Sequence, residues 1–309
     1  MTNSSRTDPP PADPLAAADV LAIAAHRDDV EQTCGGTLLR MASRGLRTAI
    51  LDLTQGEAGS RGTAEERGQE ASEAARILGV GWRQALDLPD GALENTLENR
   101  IKIARVLREL RPRVVILPFW QARHPDHATV ATLGYEACFL SGLKKIDTGL
   151  PPHRPFKIVY ASLYADVRPS FIVDITPFIE QRYQSLMAYR SQYANQAAAS
   201  VLFVPEEEIR ERIFAEARHY GLLAGVRYGE PFVQKEVGLV DDLNLDEPND
   251  DYWYALGRIA EQYGEREIAI ADYRKLEKPK EILAVPTSSY TLAHARLKVL
   301  GVNGGGAGK

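Results

Sequence analysis

Short apolar runs alternate with amphipathic stretches along the first 120 residues. Residues 20–25 (VLAIAA), 48–53 (TAILDL), 82–88 and 114–119 (VVILPF) have the length and apolar character of strands. Between them, 38–43, 64–78 and 97–110 repeat Ala, Ile and Leu at helical spacing, with Glu and Arg on the opposite side. Gly79 and Pro112 stand just past the last two of these, as helix stops do. Further along, 128–141, 176–193 and 205–220 predict helices, and 157–163 and 170–175 predict strands. The early strands are apolar throughout rather than alternating. That pattern, with helices in between, predicts an α/β chain whose parallel sheet is covered on both faces. Ligands of such sheets lie beyond the carboxyl ends of the strands. Polar clusters follow the strands at 26–31, 54–61, 89–91 and 121–127, so these loops are the candidate site.

Composition narrows the function. The 309 residues carry 37 Lys and Arg against 42 Asp and Glu, a net charge of −5. That argues against nonspecific nucleic-acid binding, which needs a basic surface. Two cysteines, Cys34 and Cys138, exclude a disulfide framework and suit a reducing cytoplasm. No run approaches the ~20 apolar residues of a membrane helix, so no membrane partner is expected. Residues 1–17 are polar and proline-rich, without the apolar stretch of a secretory leader, and predict a disordered tail. Residues 301–309 are a glycine-rich tail. Five aspartates and a proline at 241–251 mark a linker between a domain at 18–240 and a helical segment at 252–300. Within that segment Trp253, Leu256, Gly257, Gly264, Ala269, Tyr273 and Pro279 fall near the spacing of one tetratricopeptide repeat. A single repeat cannot bury its apolar face alone. It predicts either a hairpin packed on the domain or on another subunit, or a docking surface for a protein partner.

Two clusters carry candidate chemistry. In Ala25-His26-Arg27-Asp28-Asp29-Val30-Glu31 a strand delivers an imidazole and two adjacent carboxylates into one loop. His124-Pro125-Asp126-His127 follows another strand. Two histidines and an aspartate supply three N/O ligands, the number a catalytic zinc site uses while keeping a position for water. The remaining side chains are then free for acid–base and orienting work. No Gly-x-Gly-x-x-Gly follows the first strand, which argues against a dinucleotide site.

The first cluster, with Cys34-Gly35-Gly36-Thr37-Leu38 after it and the later His-x-x-Asp-His-like segment, resembles the signature of the LmbE-like, or PIG-L, deacetylases. Leu53 to Thr63, Leu88-Pro89-Asp90-Gly91, Arg123, Phe171 to Ile175, Ala188-Tyr189-Arg190-Ser191-Gln192 and Tyr228-Gly229-Glu230-Pro231-Phe232 are similar to the bacillithiol-pathway branch. The resemblance covers about residues 18 to 240. It implies a Rossmann-like three-layer α/β fold with a mostly parallel sheet, here followed by a C-terminal helical extension. It also implies hydrolysis of an N-acetylglucosaminyl conjugate, N-acetylglucosaminyl-malate in that branch, to acetate and a free amine. One Zn2+ would be held by His26, Asp29 and His127. Asp28 would be the general base, a protonated His124 would stabilise the oxyanion, and Asp126 would orient a histidine of its own motif. Arg61 and Arg123 match arginines suited to the malate carboxylates, and Asp90 could hold sugar hydroxyls or simply stabilise its turn. Relatives often assemble as homo-oligomers.

Two positions depart from the pattern. Arg27 replaces a proline that stiffens the metal turn, and could point outward, bind substrate or weaken the site. Ala122 replaces an aspartate expected to orient a partner. The alternatives are a deacetylase for another GlcNAc-type or amide substrate, and an impaired sugar-binding module.

Overall fold

The computed structural model describes residues 17–163, 165–193, 206–235, 254, 257–258, 260–262, 264–276 and 289–301. The expected tails, but for one residue each, and the expected linker at 241–251 lie outside these. The chain divides into two compact units, Met1–Gly238 and Leu239–Lys309. No helix among the described residues is long and apolar enough to cross a membrane.

The first unit is built on a seven-stranded sheet. Its strands are β1 (Val20–Ala24), β2 (Thr48–Asp52), β3 (Trp82–Ala85), β4 (Val114–Pro118), β5 (Lys157–Ala161), β6 (Phe171–Asp174) and β7 (Gly229–Val233), in the order β3-β2-β1-β4-β5-β7-β6. The first five are parallel, and β7 runs antiparallel to both β5 and β6. Every residue of β1 is buried. Leu21 and Ile23 pack with Ile103 and Leu107 of α4 (Leu97–Leu110) and Val130 and Leu133 of α5 (Pro125–Ser141). Val20, Ala22 and Ala24 face Val30 of α1 (Asp29–Thr33), Leu38 of α2 (Gly35–Ser43) and Leu78 of α3 (Ala64–Leu78). Helices on both faces make the three layers expected of continuous apolar strands. The chain leaves β1 toward β2 on one side, and β4 flanks the other. This reversal opens a crevice at the carboxyl ends of β1 and β4.

Four local readings change. The helix expected at 128–141 begins at Pro125, with His124 as N-cap, because proline fits the first helical position. The segment 176–193 is not one helix. It is a 3-10 turn (Thr176–Phe178), then α6 (Ile179–Met187), then α7 (Arg190–Tyr193). The break lets the fully buried Tyr189 donate to Glu31 Oε1 at 3.2 Å. The strand at 82–88 ends at Ala85. β7 carries Glu230 and Pro231, which hide it from an apolar-run reading. Only Phe232 and Val233 pair with β5, so the proline lies past that overlap.

β7 also explains the Gly-Gly after Cys34. The Glu230 carboxylate is fully buried and accepts from the Gly36 and Thr37 amides at 2.9 and 2.7 Å, and from the Thr37 hydroxyl at 2.5 Å. It thereby satisfies the open amides at the N-terminus of α2. A Cβ on Gly36 would lie 2.9 Å from Glu230 Oε1 and from Ile175, so only glycine permits this approach. Arg182 Nε lies 3.2 Å from the same carboxylate and donates to the Glu31 carbonyl at 3.1 Å.

In the second unit, helices Arg266–Tyr273 and Ser289–Val299 enclose a small core of Ala260, Ala269, Ile270, Tyr273, Leu276, Ala293 and Leu297. Of the residues expected to mark a repeat, Ala269 and Tyr273 lie in this core and Gly257 lies against the Tyr273 ring. Trp253, Leu256 and Pro279 fall outside the described residues.

Removing the Glu230 carboxylate would leave Arg182 and two helix amides buried without it. Glu230→Ala is therefore expected to lower unfolding free energy by about 3–5 kcal/mol, measured by urea denaturation.

Candidate active site

Strand β1 ends at Ala24, and the chain turns sharply to start α1 at Asp29. The His26 amide donates to Asp29 Oδ2 at 2.9 Å, closing this turn. Asp28 sits at φ 104°, ψ −19°, a conformation rare for a residue with a side chain. Such strain persists only where the surroundings impose it. Here the Tyr193 hydroxyl donates to Asp28 Oδ2 at 2.7 Å, Gln32 Nε2 approaches the same oxygen at 3.4 Å, and Arg67 Nη2 lies 3.5 Å from Oδ1.

The first turn of α5 brings in His127. His26 Nδ1 and His127 Nε2 are 3.2 Å apart, His127 Nε2 and Asp29 Oδ2 3.2 Å, and His26 Nδ1 and Asp29 Oδ2 3.5 Å. A tetrahedral ion with bonds of ~2.0–2.1 Å spaces its ligands about 3.3 Å apart. The sequence-predicted set His26, Asp29 and His127 thus converges at the spacing a metal ion requires. Electrostatics agree. Burial lowers the His26 pKa, but the bond to Asp29 and the charges of Asp29, Asp90 and Asp28 outweigh it and raise it to about 9. For Asp29, burial opposes ionisation, yet His127 and His26 hold the carboxyl well below its usual range. So much negative charge around two imidazoles suits a dication.

The other nitrogen of His26 is held by carboxylates. Nε2 lies 3.0 Å from Asp90 Oδ1 and 3.4 Å from Asp126 Oδ2. A ligating histidine commonly has such a partner on its second nitrogen, which fixes tautomer and ring orientation. Asp126 therefore meets the histidine of the first motif. It also accepts from the Gly91 and Leu93 amides at 2.8 and 3.4 Å. Asp90 reaches His26 and accepts from the Ala58 amide at 3.0 Å, while Glu57 accepts the Asp90 amide at 2.8 Å. Three strand-end loops are thus stitched around one imidazole. His26, His124 and Asp126 could also share one point, but the Asp126 oxygens are already engaged.

His124 is exposed at the mouth of the site. Its Nδ1 accepts the Asp126 amide at 3.2 Å, the N-cap bond of α5. That leaves Nε2 to carry the proton of the neutral ring. Burial and the nearby His26 and His127 charges push its pKa down, so the neutral donor form is favoured over the expected imidazolium. Burial, then the Asp29 charge, raises the Asp28 carboxyl to about 7, against the opposing pull of Arg67 and Tyr193.

Arg123 is exposed and lines a cleft of about 250 Å³ with His26, Asp29, Gln32, His124 and His127. Arg61 lies elsewhere. Its Nη1 donates to the Gln192 carbonyl at 3.0 Å, Gln192 Nε2 donates back at 2.7 Å, and it borders a second cleft with Arg190 and Glu70. The Arg27 guanidinium donates to the Ala64 carbonyl at 2.5 Å, against Gly68 of α3. Cys34 is buried, with its thiol pushed above its usual range by burial.

Sequence reasoning missed Arg67, Gln32 and Tyr193. Arg67 left a signal: it occupies the stripe of Ala71, Ala74 and Leu78, where a charge needs buried partners. It finds the Gly56 and Arg27 carbonyls at 3.0 and 2.9 Å, besides Asp28. Tyr193 left none, because its role depends on the break after α6.

Residues 21–138 match the family model of PIG-L, GlcNAc-PI de-N-acetylase. The diacetylchitobiose deacetylase of Thermococcus kodakarensis is 32% identical over 229 residues, spanning 68% of this chain and 80% of that protein. Among solved structures, the conserved protein TT1542 of Thermus thermophilus is 41% identical with a TM-score of 0.67, covering 73% of this chain and 98% of that one. The N,N'-diacetylchitobiose deacetylase of Pyrococcus horikoshii, in complex with its inhibitor MPG, is 29% identical with a TM-score of 0.62, over 71% and 84% of the two chains. The chain belongs to the PIG-L, or LmbE-like, deacetylase family, whose members hydrolyse amide bonds.

A cation can occupy this site only by displacing the proton that His26 holds up to about pH 9. Divalent-ion affinity, measured by calorimetry, is expected to rise with pH toward 9 with proton release. Asp90→Asn is expected to weaken it about 10–100-fold by freeing the His26 ring.

Proposed function

We propose that the chain is a zinc-dependent N-deacetylase of an N-acetylglucosaminyl conjugate, with N-acetylglucosaminyl-malate the favoured substrate. The observation that supports it most is the convergence of His26, Asp29 and His127 at ligand spacing beside a carboxylate and an N–H donor that the ligands do not use. A bound zinc ion would polarise the acetamide carbonyl and make a water acidic enough to react near neutral pH.

The chain's own residues do the rest. Asp28, with its carboxyl raised to about 7, accepts the proton of the attacking water at Oδ1 or Oδ2. The Arg67 and Tyr193 bonds fix its direction. His124 donates its Nε2 proton toward the oxygen on which charge develops. As the C–N bond breaks, the proton held by Asp28 passes to the departing nitrogen. The hydroxide of the water stays on the acyl carbon and its proton ends on the nitrogen, so the products are acetic acid, which ionises to acetate, and the free amine. Asp126 and Asp90 hold His26 in one tautomer.

The substrate's second half rests on Arg123, which lines the cleft and suits a carboxylate. Arg61 donates to the Gln192 carbonyl and borders the second cleft, with Arg190 and Glu70. Arg27 points to α3 rather than to the ligands, which leaves the impaired-module reading without support.

Acetate release from N-acetylglucosaminyl-malate tests the proposal. Release is expected to stop with a chelator and return with zinc. No release from zinc-loaded protein on this substrate, with release from diacetylchitobiose, would replace the malate conjugate with another GlcNAc substrate. Asp28→Asn is expected to keep zinc and lose about 10²–10⁴-fold in kcat. Because Asp28 acts ionised, wild-type kcat/KM should fall as pH drops through an acid limb at or below about 7, in a pH–rate profile.

A further inference from the structure

Of the contacts on the strained Asp28 carboxylate, the Tyr193 hydroxyl is the shortest, at 2.7 Å from Oδ2. Gln32 Nε2 and Arg67 Nη2 stand off at 3.4 and 3.5 Å. The direction of the carboxylate therefore follows Tyr193 before the other two. Tyr193 is itself the last residue of α7, a helix of four residues. A helix that short does not hold its own shape in water. Its geometry must be imposed by its neighbours.

Two grips do so. Glu70, half-buried in α3, accepts from the Ser191 amide through Oε1 at 2.6 Å and from the Ser191 hydroxyl through Oε2 at 2.7 Å. The Ser191 amide is one of the first-turn N–H groups that a helix leaves open, so α7 is capped by a side chain of another helix. Using both carboxylate oxygens fixes orientation as well as position. On the other side, Arg61 Nη1 donates to the Gln192 carbonyl at 3.0 Å, and Gln192 Nε2 donates to the Arg61 carbonyl at 2.7 Å. Gly62 stands beside both grips at φ 69°, and a Cβ there would lie 2.6 Å from Ser191 Oγ. Glycine is what lets the loop close on α7. Tyr189, just before the helix, packs on Ala71 and Ala74 of α3.

We propose that Glu70 is a positioning residue for deacetylation: it holds α7 so that Tyr193 aims Asp28. The inference rests on the reading of Asp28 as the base and adds a remote control over its direction. The contacts run from Glu70 to Ser191, along α7 to Tyr193, and from there to Asp28. Glu70 borders the cleft of Arg61 and Arg190, not the one that His26, Asp29 and His127 line. Without Glu70 the first turn of α7 loses its cap, the Tyr193 hydroxyl leaves Oδ2, and the carboxylate keeps only its two long contacts. A misplacement of about 1 Å at the reacting groups can cost ~10²-fold in rate.

Acetate release by the zinc-loaded full chain tests this, on whichever of N-acetylglucosaminyl-malate and diacetylchitobiose it turns over. Tyr193→Phe and Glu70→Ala are each expected to lower kcat about 10–100-fold, with KM and calorimetric zinc affinity unchanged. Both act on one line of contacts, so the double variant should lose no more than the worse single variant. Glu70→Gln keeps the size of the side chain and one acceptor oxygen, and should recover part of kcat. Amide hydrogen exchange gives a readout without turnover: residues 189–193 should exchange faster in Glu70→Ala while the sheet stays protected. Wild-type kcat or unchanged exchange in Glu70→Ala would overturn the proposal. So would losses that multiply in the double variant, or a loss that falls on KM or zinc affinity. Each of these leaves the role of Asp28, read from Asp28→Asn, standing. Wild-type kcat in Asp28→Asn would instead overturn the base assignment, and the inference with it.

Discussion

The imidazole of His26 is contested from both sides, and the rest of the site depends on how that contest is balanced. Its Nδ1 faces Asp29 and His127, while its Nε2 faces Asp90 and Asp126. Those partners come from the turn after β1, the loop after β3 and the start of α5. Each is brought there by the parallel register of the sheet, in which Leu21 pairs with Ala49 on one side and Val115 on the other. A slip of one residue would turn His26 to the opposite face. The ring is therefore a point where sheet register, loop stitching and charge are satisfied together.

Helix α1 spans only five residues, too few to be stable by itself. Buried ion pairs hold it in place. Glu31 is bound by Arg83 at 2.6 Å, and the same guanidinium grips Asp52 of β2 at 2.8 and 3.0 Å. Arg182 binds carbonyls of α1 and the Glu230 carboxylate together. Pairs of this kind contribute little net stability, because desolvation offsets much of their attraction. Their effect here is positional: they fix the element that carries Asp29 and, one residue before it, the strained Asp28.

The layers of the fold were legible because they rest on periodicity. Continuous apolar strands such as 20–25 and 48–53 can be buried on both faces only in a helix-covered parallel sheet, and that is where they lie. The proposed metal ligands were legible because each stands within three residues of a strand end or helix start. What escaped depends on contacts distant in sequence. Tyr193 reaches Asp28 across 165 positions, through a helix break that no local pattern marks. Glu230 reaches Thr37 across 193, from a strand whose proline and glutamate disguise it. Asp90 looked like a turn residue, and it is one. Its second task, on His26, appears only when the β3 loop is folded over the β1 loop. Arg27 shows the reverse case, a local departure whose consequence is absorbed by Gly68 and Ala64 of α3.

Two imidazoles and one carboxylate, and no thiolate, form the protein's share of the proposed metal site, although Cys34 stands only five residues from Asp29. X-ray absorption at the zinc edge of the zinc-loaded full chain tests this directly. The expected result is a first shell of nitrogen and oxygen alone at ~2.0–2.1 Å, with the outer-shell scattering of two imidazole rings. A sulfur ligand at ~2.3 Å, or the signature of a single imidazole, would contradict it.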